Sequence, residues 1–507
     1  MEIESSSQEE RDRISPGDEE RSRVIRRTFD WNLLPFAFSI GVVSYLDRTN
    51  LAYAAVELNR DLGFTCETYG LGAGMFFVGY ALFQVPSVTI FNRVGVPWLA
   101  STIIVWGVVA GSFSLVRSKT AFLILRVLLG ALESGTFPCI LSYLSQFYSH
   151  QALGTAYAAA ATSTAFAQVI GSPVAASILM LDGVLHIAGW QWLFLLEGLS
   201  SIVFGIFLYF RLPRTASSFL NHEDRAWLSQ QKNSSQFYIE NTSDSDGPRR
   251  NWRNDISTFL HVLVDWRSIY LGAIFFTIMQ AMYSYVFFIP MIIHSFVYSS
   301  SEDTPEGTTR SSSCSGGEAG QGSQQSSVFV ALLSMIPFTV ASISMIVVGK
   351  LSEIKNERRY HAFFSVIIGA LCMNLLSLTM YFEDSMPAWV SFTILVLGAA
   401  AVWSHHGPFI TWPSEYFDRT RANIAFAIIN SFGSLGGFLG PTVLGFLAQS
   451  TGGYGVALAV LGCILLLGGL GILFFAPGSS DSATTDIIHY EEPDRYNETS
   501  RLMTSRR

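Results

Sequence analysis

Four ionisable side chains stand inside apolar stretches of this sequence, Asp47 and Arg48 in one and Arg126 and Glu133 in another. Placing such a group in hydrocarbon costs roughly 2.5–3.5 kcal/mol on insertion scales, so each needs a reason to be there. Arg126 and Glu133 are seven residues apart, two helical turns, and share one face. Tyr45 and Arg48, three apart, share another. Counted along helices from the outer surface, Arg126 lies about 9 Å deep, the Asp47–Arg48 pair about 12 Å and Glu133 about 20 Å. One reading makes these charges two compensating salt bridges that only fasten helix to helix, a use in which buried pairs contribute little net stability. The other makes them a switch. A carboxylate beside an arginine is held ionised, whereas one withdrawn from water holds a proton more readily. When Asp47 or Glu133 takes a proton, an arginine loses its partner and is free to attract an anion.

Polar residues at similar depth complete a candidate pocket. Tyr80 lies about 18 Å into its segment with Gln84 one turn on, Gln168 about 22 Å into the next but two, and Gln280 about 18 Å into the seventh, near Tyr283. Ser404, His405, His406 and Asn430 are candidates in the second half of the chain. Singly, each also reads as a helix-packing hydrogen bond. His405 and His406 are adjacent and point different ways on a helix, so no metal site is expected. Phosphate-cradling loops, HExxH zinc motifs and nucleophile elbows are absent from the sequence, which leaves no enzyme constellation and calls for no cofactor. The Gly-rich "GSLGGFLG" from Gly433 follows no strand and reads as close helix packing.

The elements that must hold these residues follow from composition. Half of the 507 residues are hydrophobic and 14% are charged, against about 25% charged in an ordinary soluble domain. The charges gather in the first thirty residues, the 211–267 stretch and the last twenty. Between them run apolar segments of the roughly 20 residues that span a bilayer core. They predict an all-α membrane protein of twelve transmembrane helices, at 31–55, 68–91, 97–116, 120–147, 153–181, 190–211, 268–297, 328–352, 361–382, 387–412, 421–449 and 454–476. A formal charge of −8 gives no basic surface for nucleic acid. The apolar core of a cleavable signal is not expected in the polar first thirty residues.

Orientation follows from the basic residues. With the N-terminus inside, the inner loops collect Arg21, Arg23, Arg26, Arg27, Arg93, Lys350, Lys355, Arg358, Arg359, Arg419 and Arg421, joined by the central loop's Arg211 to Arg267. The outer loops keep only Arg60, Arg117, Lys119 and Arg310, so both termini are expected inside. The domain reading is then a disordered tail at 1–30, a six-helix bundle at 31–212, a cytoplasmic linker at 213–267, a second bundle at 268–476 and a tail at 477–507. Residues 299–327, rich in Ser and Gly, read as a disordered outer loop. The glycosylation patterns at Asn233 and Asn241 fall inside and are expected unmodified. Of five cysteines, Cys66 and Cys314 fall in outer loops where the two can pair, and the other three read as small core residues. "GKLSEIKNERR" from Gly349 echoes "NRVGVPW" from Asn92 at the matching place of the other half, as internal repeats would.

Six segments carry a resemblance: "YLDRTNLAYA" from Tyr45, "GYALFQVPS" from Gly79, "RVLLGALESGTFPCILSYLSQFY" from Arg126, "GWQWLFLLEG" from Gly189, "LNHEDRAWL" from Leu220 and "INSFGSLGGFLGPTVLG" from Ile429. From about Trp31 to Pro477 the chain resembles the anion–cation symporters of the major facilitator superfamily, whose members include permeases for allantoate, phthalate, tartrate, nicotinate and pantothenate. The resemblance implies a secondary active transporter of a small organic anion, such as a vitamin or sugar acid, driven by protons and working as a monomer in the bilayer. It assigns proton coupling to Asp47 and Glu133, substrate carboxylate binding to Arg48, partnership with the acidic groups or gating to Arg126, and pocket contacts to Tyr45, Tyr80, Gln168 and Asn430. The loop after the second helix, "FNRVGVPW", departs from the family pattern. A cytoplasmic latch is therefore expected in the better-kept copy at Gly349, Ser352, Glu353, Arg358 and Arg359. A uniporter or exchanger of the same fold remains open, as does a nutrient-sensing receptor, which would be expected to carry a larger tail than the residues after Pro477. "ETSRLM" from Glu498 resembles an endolysosomal sorting signal, so a plasma, endolysosomal or vacuolar membrane remains open.

Overall fold

Why the apolar runs become helices follows from the medium, since only a structure that satisfies every backbone group internally can cross hydrocarbon. The structure is a computed structural model that describes residues 16–148, 150–214, 220–221, 223–224, 261–298, 323–355, 357–382, 386–412, 417 and 419–475. The first half holds α1 (Pro16–Leu62), α2 (Cys66–Val94), α3 (Val96–Ser112), α4 (Lys119–Glu133), α5 (Thr136–Ser145), α6 (His150–Leu179) and α7 (Gly189–Arg211). The second holds α8 (Trp266–Tyr298), α9 (Ser323–Ile354), α10 (Arg359–Tyr381), α11 (Ala388–Ser404), α12 (His406–Thr411), α13 (Arg419–Thr451) and α14 (Gly455–Phe474). Together they give twelve spans long and apolar enough to cross a membrane, with α4–α5 and α11–α12 each making one. Exposed Leu82, Phe83, Val85, Leu199, Val203 and Phe207 on α2 and α7 belong to the apolar surface that such a protein turns to lipid. The chain is a multi-pass integral membrane protein.

Helix packing repeats between the halves. Pairing of α1 with α6, α2 with α4 and α3 with α7 recurs as α8 with α13, α9 with α11 and α10 with α14. The halves meet where α2 packs on α13, α6 on α9 and α1 on α8. The bonds across this seam gather on the outer side. The Tyr69 hydroxyl donates to the Phe287 carbonyl at 2.7 Å, Cys66 N–H to Gln449 Oε1 at 3.2 Å, and Asn59 Nδ2 to Met291 Sδ at 3.9 Å. Deeper, Ser342 Oγ donates to the Ala165 carbonyl at 3.2 Å. The halves are thus joined at the end of the bundle that the basic residues lead one to expect outside.

Two features depart from the sequence expectation. The first helix starts at Pro16, so residues 16–30 are helical rather than a tail. Membrane hydropathy marks only the part in lipid. The extension is held by Ile25 and Phe29, both buried, with Phe29 set edge-on to Phe147 and Tyr148 at 6.1 and 5.9 Å and the Tyr148 hydroxyl donating to Asp30 at 2.9 Å. The fourth and tenth spans are each broken, at Ser134–Gly135 and at His405. Pro138 and Pro408 have no N–H to return to the carbonyls of Ser134 and Ser404, which ends each helical ladder there. Cys66 is disulfide-bonded, while Cys139, Cys372 and Cys463 are free. Residues 323–327, expected to end the outer loop, are instead the first turn of α9; Cys314, the rest of that loop, Asn233, Asn241, most of the linker and the "ETSRLM" segment lie outside the described residues.

Candidate functional site

The break in the fourth span lies beside its carboxylate. Ser118 opens α4 by accepting the Ala121 N–H at 3.3 Å, and the helix then carries Arg126 and Glu133 on one face before ending at Glu133. That face is pressed against α2 because glycine stands at both points of contact. A Cβ on Gly130 would fall 1.8 Å from the Phe76 carbonyl oxygen, and one on Gly79 2.0 Å from that of Val127. No other residue permits this approach, and it brings the Phe76 ring within reach of two guanidinium groups. The Arg48 Cζ lies 4.9 Å from the ring centroid and the Arg126 Cζ 5.1 Å.

Arg48 and Glu133 form the central ion pair, Nη2 to Oε2 at 3.3 Å, with the glutamate side chain fully buried and that of Arg48 11% exposed. The guanidinium also lies 5.1 Å from the Tyr80 ring and 6.0 Å from Tyr45. Gln168 Nε2 donates to the Tyr45 hydroxyl at 3.1 Å, which fixes that wall. Arg126 has a different footing. Its Nε donates to the Gly72 carbonyl at 3.0 Å, and its Cζ lies 5.6 Å from Phe287 of the opposite half. Arg48 Nε, Arg126 Nη2, Glu133 Oε1 and Gln168 Oε1 are buried with no hydrogen-bond partner among the described residues. Leaving such groups unmatched costs about 1–3 kcal/mol each, more where charged. Spare cationic donors, a spare carboxylate oxygen and aromatic walls can meet the polar groups of a ligand.

Asp47 does not join this group directly. Consecutive residues on a helix point about 100° apart, and Asp47 faces back into its own bundle. There its Oδ2 accepts Trp106 Nε1 at 2.8 Å and Ser201 Oγ at 2.7 Å. The four charges therefore divide into a pair at the interface, an arginine bonded to a carbonyl and rings, and an aspartate held by neutral donors. Asn430 on α13 gives its carbonyl to Ser434 Oγ at 3.2 Å, and its side chain makes no hydrogen bond among the described residues. Gln280 is a packing residue that donates to the Leu461 carbonyl at 3.1 Å. Tyr283 reaches the site from α8, 4.3 Å from Phe77 and in electrostatic reach of Arg48.

Of the residues expected to form a cytoplasmic latch, Gly349, Ser352 and Arg359 are held within their own half. Gly349 lies against Gly407. Ser352 Oγ donates to the Glu357 carbonyl at 2.7 Å, and Glu353 is exposed. Arg359 donates to the Ile472 carbonyl at 3.2 Å and to that of Leu473, closing the C-terminus of α14. Glu357, just outside the membrane, accepts the N–H groups of Tyr360 and His361 and bonds the His361 ring. Partial burial opposes its ionisation, but those bonds prevail and hold its carboxyl below the ordinary range.

Sequence reading passed over Trp106, Ser201, Phe76 and Phe287, whose types are common in membrane helices. It also passed over Glu197, which carried the same signal as the four charges: an ionisable residue inside an apolar span.

Residues 37–441 match the family described as the Major Facilitator Superfamily. A protein of Agrobacterium vitis named as a tartrate transporter is 29% identical over 92% of this chain and 94% of its own length. The metabolite transport protein NicT of Pseudomonas putida is 32% identical over 88% of this chain and 93% of its own. Among solved structures, the xylose transporter XylE of E. coli, in a partially occluded inward-open conformation, aligns with a TM-score of 0.64 at 15% identity, over 89% of this chain and 99% of that one. The first two bear the kind of name that the sequence motifs led us to expect, and the third shares the fold. This chain belongs to the Major Facilitator Superfamily of membrane transporters.

Proposed function

We propose that the chain is a secondary active transporter that carries a small organic anion, a carboxylate of the sugar-acid or vitamin kind, together with protons by alternating access. The observation that carries this reading is the buried Arg48–Glu133 pair with its unmatched atoms, Arg48 Nε and Glu133 Oε1, and Arg126 Nη2 nearby. While Glu133 is ionised it occupies Arg48. A proton on Glu133 removes the charge that holds the guanidinium, and a substrate carboxylate takes its place against Phe76 and Tyr80. Tyr45 and Gln168 stand beside it to meet hydroxyl or carbonyl groups of the same molecule. Where protons are scarce Glu133 ionises, recovers Arg48 and expels the anion. Alternation requires the outer seam at Tyr69–Phe287 and Asn59–Met291 to part as the inner side closes, the general scheme for repeats that rock about a mid-membrane site. The names of the tartrate and NicT relatives support the substrate class.

The test is uptake of a panel of labelled organic anions, tartrate and nicotinate among them, into proteoliposomes with and without an inward proton gradient. Gradient-driven accumulation that Glu133→Gln abolishes, with binding lost in Arg48→Ala, is the expected result. Accumulation that survives Glu133→Gln, or uptake indifferent to the gradient, refutes the proton assignment and leaves a uniporter or exchanger.

A further inference from the structure

Behind the ion pair lies a second acidic group that the transport reading does not use. Glu197 of α7 is 7% exposed, deep in the first bundle, and its Oε2 has no hydrogen-bond partner among the described residues. It stands one helical turn, about 6 Å along the axis, toward the outer side of Ser201, which donates to Asp47. The helix that carries it cannot retreat. A Cβ on its neighbour Gly198 would fall 2.5 Å from Gly111 N and 2.6 Å from the Gly107 carbonyl, so α7 lies against α3 at this level.

The groups that face Glu197 are few. From α1 they are Asp47 and Tyr53, both within electrostatic reach. The Tyr53 hydroxyl is engaged with Ser172 at 2.9 Å. Helix α3 and the Phe113–Leu115 turn contain no titratable residue, α6 carries only His150 and Tyr157 near its inner start, and α7 itself adds only Tyr209 and Arg211 at its inner end. Among the described residues no cation serves the pair, because Arg48 is turned to Glu133 and Arg126 to Gly72. Two carboxyl groups close together in a water-poor interior without a cation do not both ionise, and one keeps a proton. Asp47 has two neutral donors on one oxygen, which favour its charged form. Glu197 has none on Oε2, which leaves it the better place for the proton.

We propose that Glu197 is a proton-binding site, holding a proton beside Asp47 and handing it to that carboxylate from the outer side. In the transfer the O–H bond on Glu197 breaks as one forms on Asp47. Glu197 is left as a carboxylate until a proton from the outer side restores it. The hand-over rests on the proton-coupled reading above, whereas proton occupancy at Glu197 does not. It gives protons a path along α1 and α7 while the outer seam is shut to substrate.

The test is infrared spectroscopy of the full chain in lipid at neutral pH, reading the carbonyl stretch of protonated carboxyl groups before and after exchange into heavy water. Glu197→Gln is expected to delete one exchange-sensitive component while the amide bands stay as in wild type. Glu197→Asp, which keeps an acid there, shifts that component instead and decides the matter if the glutamine variant does not fold. A carboxyl spectrum unchanged by both substitutions overturns the proposal. In proteoliposomes, Glu197→Gln is expected to lose gradient-driven uptake most at alkaline pH, where proton supply limits, and to keep anion counterflow. A pH profile superimposable on wild type overturns the hand-over. Wild-type uptake without proton dependence refutes the transport reading instead, and the infrared result still decides whether Glu197 binds a proton.

Discussion

Replacing Glu133 by Gln leaves the shape of the site and deletes the charge that occupies Arg48. In wild type at alkaline pH, an anion that binds Arg48 must first displace the Glu133 carboxylate from a buried contact of 3.3 Å. Breaking such a pair by removing one partner costs about 3–5 kcal/mol. Phe76 and Tyr80, at 4.9 and 5.1 Å from the guanidinium, keep part of its stabilisation in either case. At about 1–2 kcal/mol for those ring contacts, roughly 1–4 kcal/mol remains as the handicap that wild type carries and the variant does not. At about 1.4 kcal/mol per tenfold, that is a Kd roughly 5- to 700-fold tighter in Glu133→Gln than in wild type at alkaline pH. The difference should vanish at acid pH, where wild type is itself protonated. The assay is equilibrium binding of the labelled anion to purified protein across a pH series. Wild-type affinity should fall as pH rises and that of the variant should stay flat. A variant that binds more weakly than wild type at alkaline pH, or that keeps the wild-type pH slope, refutes the competition between Glu133 and substrate for Arg48.

Other perturbations read separate parts of the structure. Arg48→Lys keeps the charge but loses the planar guanidinium that meets Glu133 through Nη2 and lies over Phe76, so anion affinity should fall at least about tenfold, or roughly 1.4 kcal/mol, in the same binding assay. Trp106→Phe removes one of the two donors on Asp47, a loss of about 1–3 kcal/mol that should appear as an alkaline shift in the pH profile of uptake, because the charged aspartate loses support. Gly130→Val drives a side chain into the Phe76 carbonyl, and size-exclusion chromatography should show loss of folded protein. Glu357 gives stability that is present above the ordinary carboxylate range and lost as pH falls through its lowered folded value. Protection of the Tyr360 and His361 amides, read as exchange relative to an unstructured amide at the same pH, should fall on acidification, and Glu357→Gln should flatten that response.

The spans and the charges were legible in the sequence for one reason: hydrocarbon tolerates neither an unpaired backbone nor an unexplained ion, so both stand out against apolar surroundings. What the charges touch was not legible, because it depends on how each helix is rotated. Asp47 and Arg48 are adjacent, yet one faces Trp106 and Ser201 in its own bundle while the other faces the seam. A seven-residue spacing placed Arg126 and Glu133 on one face, but only the glycine contact of α4 with α2 determines that the Phe76 ring lies within reach of the two arginines. The early start of α1 leaves little mark in the sequence because residues 16–30 are mostly polar, with Ile25 and Phe29 the buried apolar side chains among those described. The breaks at Gly135 and His405 were written in Pro138 and Pro408, which membrane helices often absorb without breaking.

The most direct test of the proton–anion mechanism needs no imposed proton gradient. Anion is added outside proteoliposomes that contain a pH-sensitive dye and hold equal pH on both sides, with membrane potential clamped. Symport expects the interior to acidify in step with anion entry, and Glu133→Gln to abolish the acidification while anion still exchanges. Anion entry with no change in internal pH contradicts it.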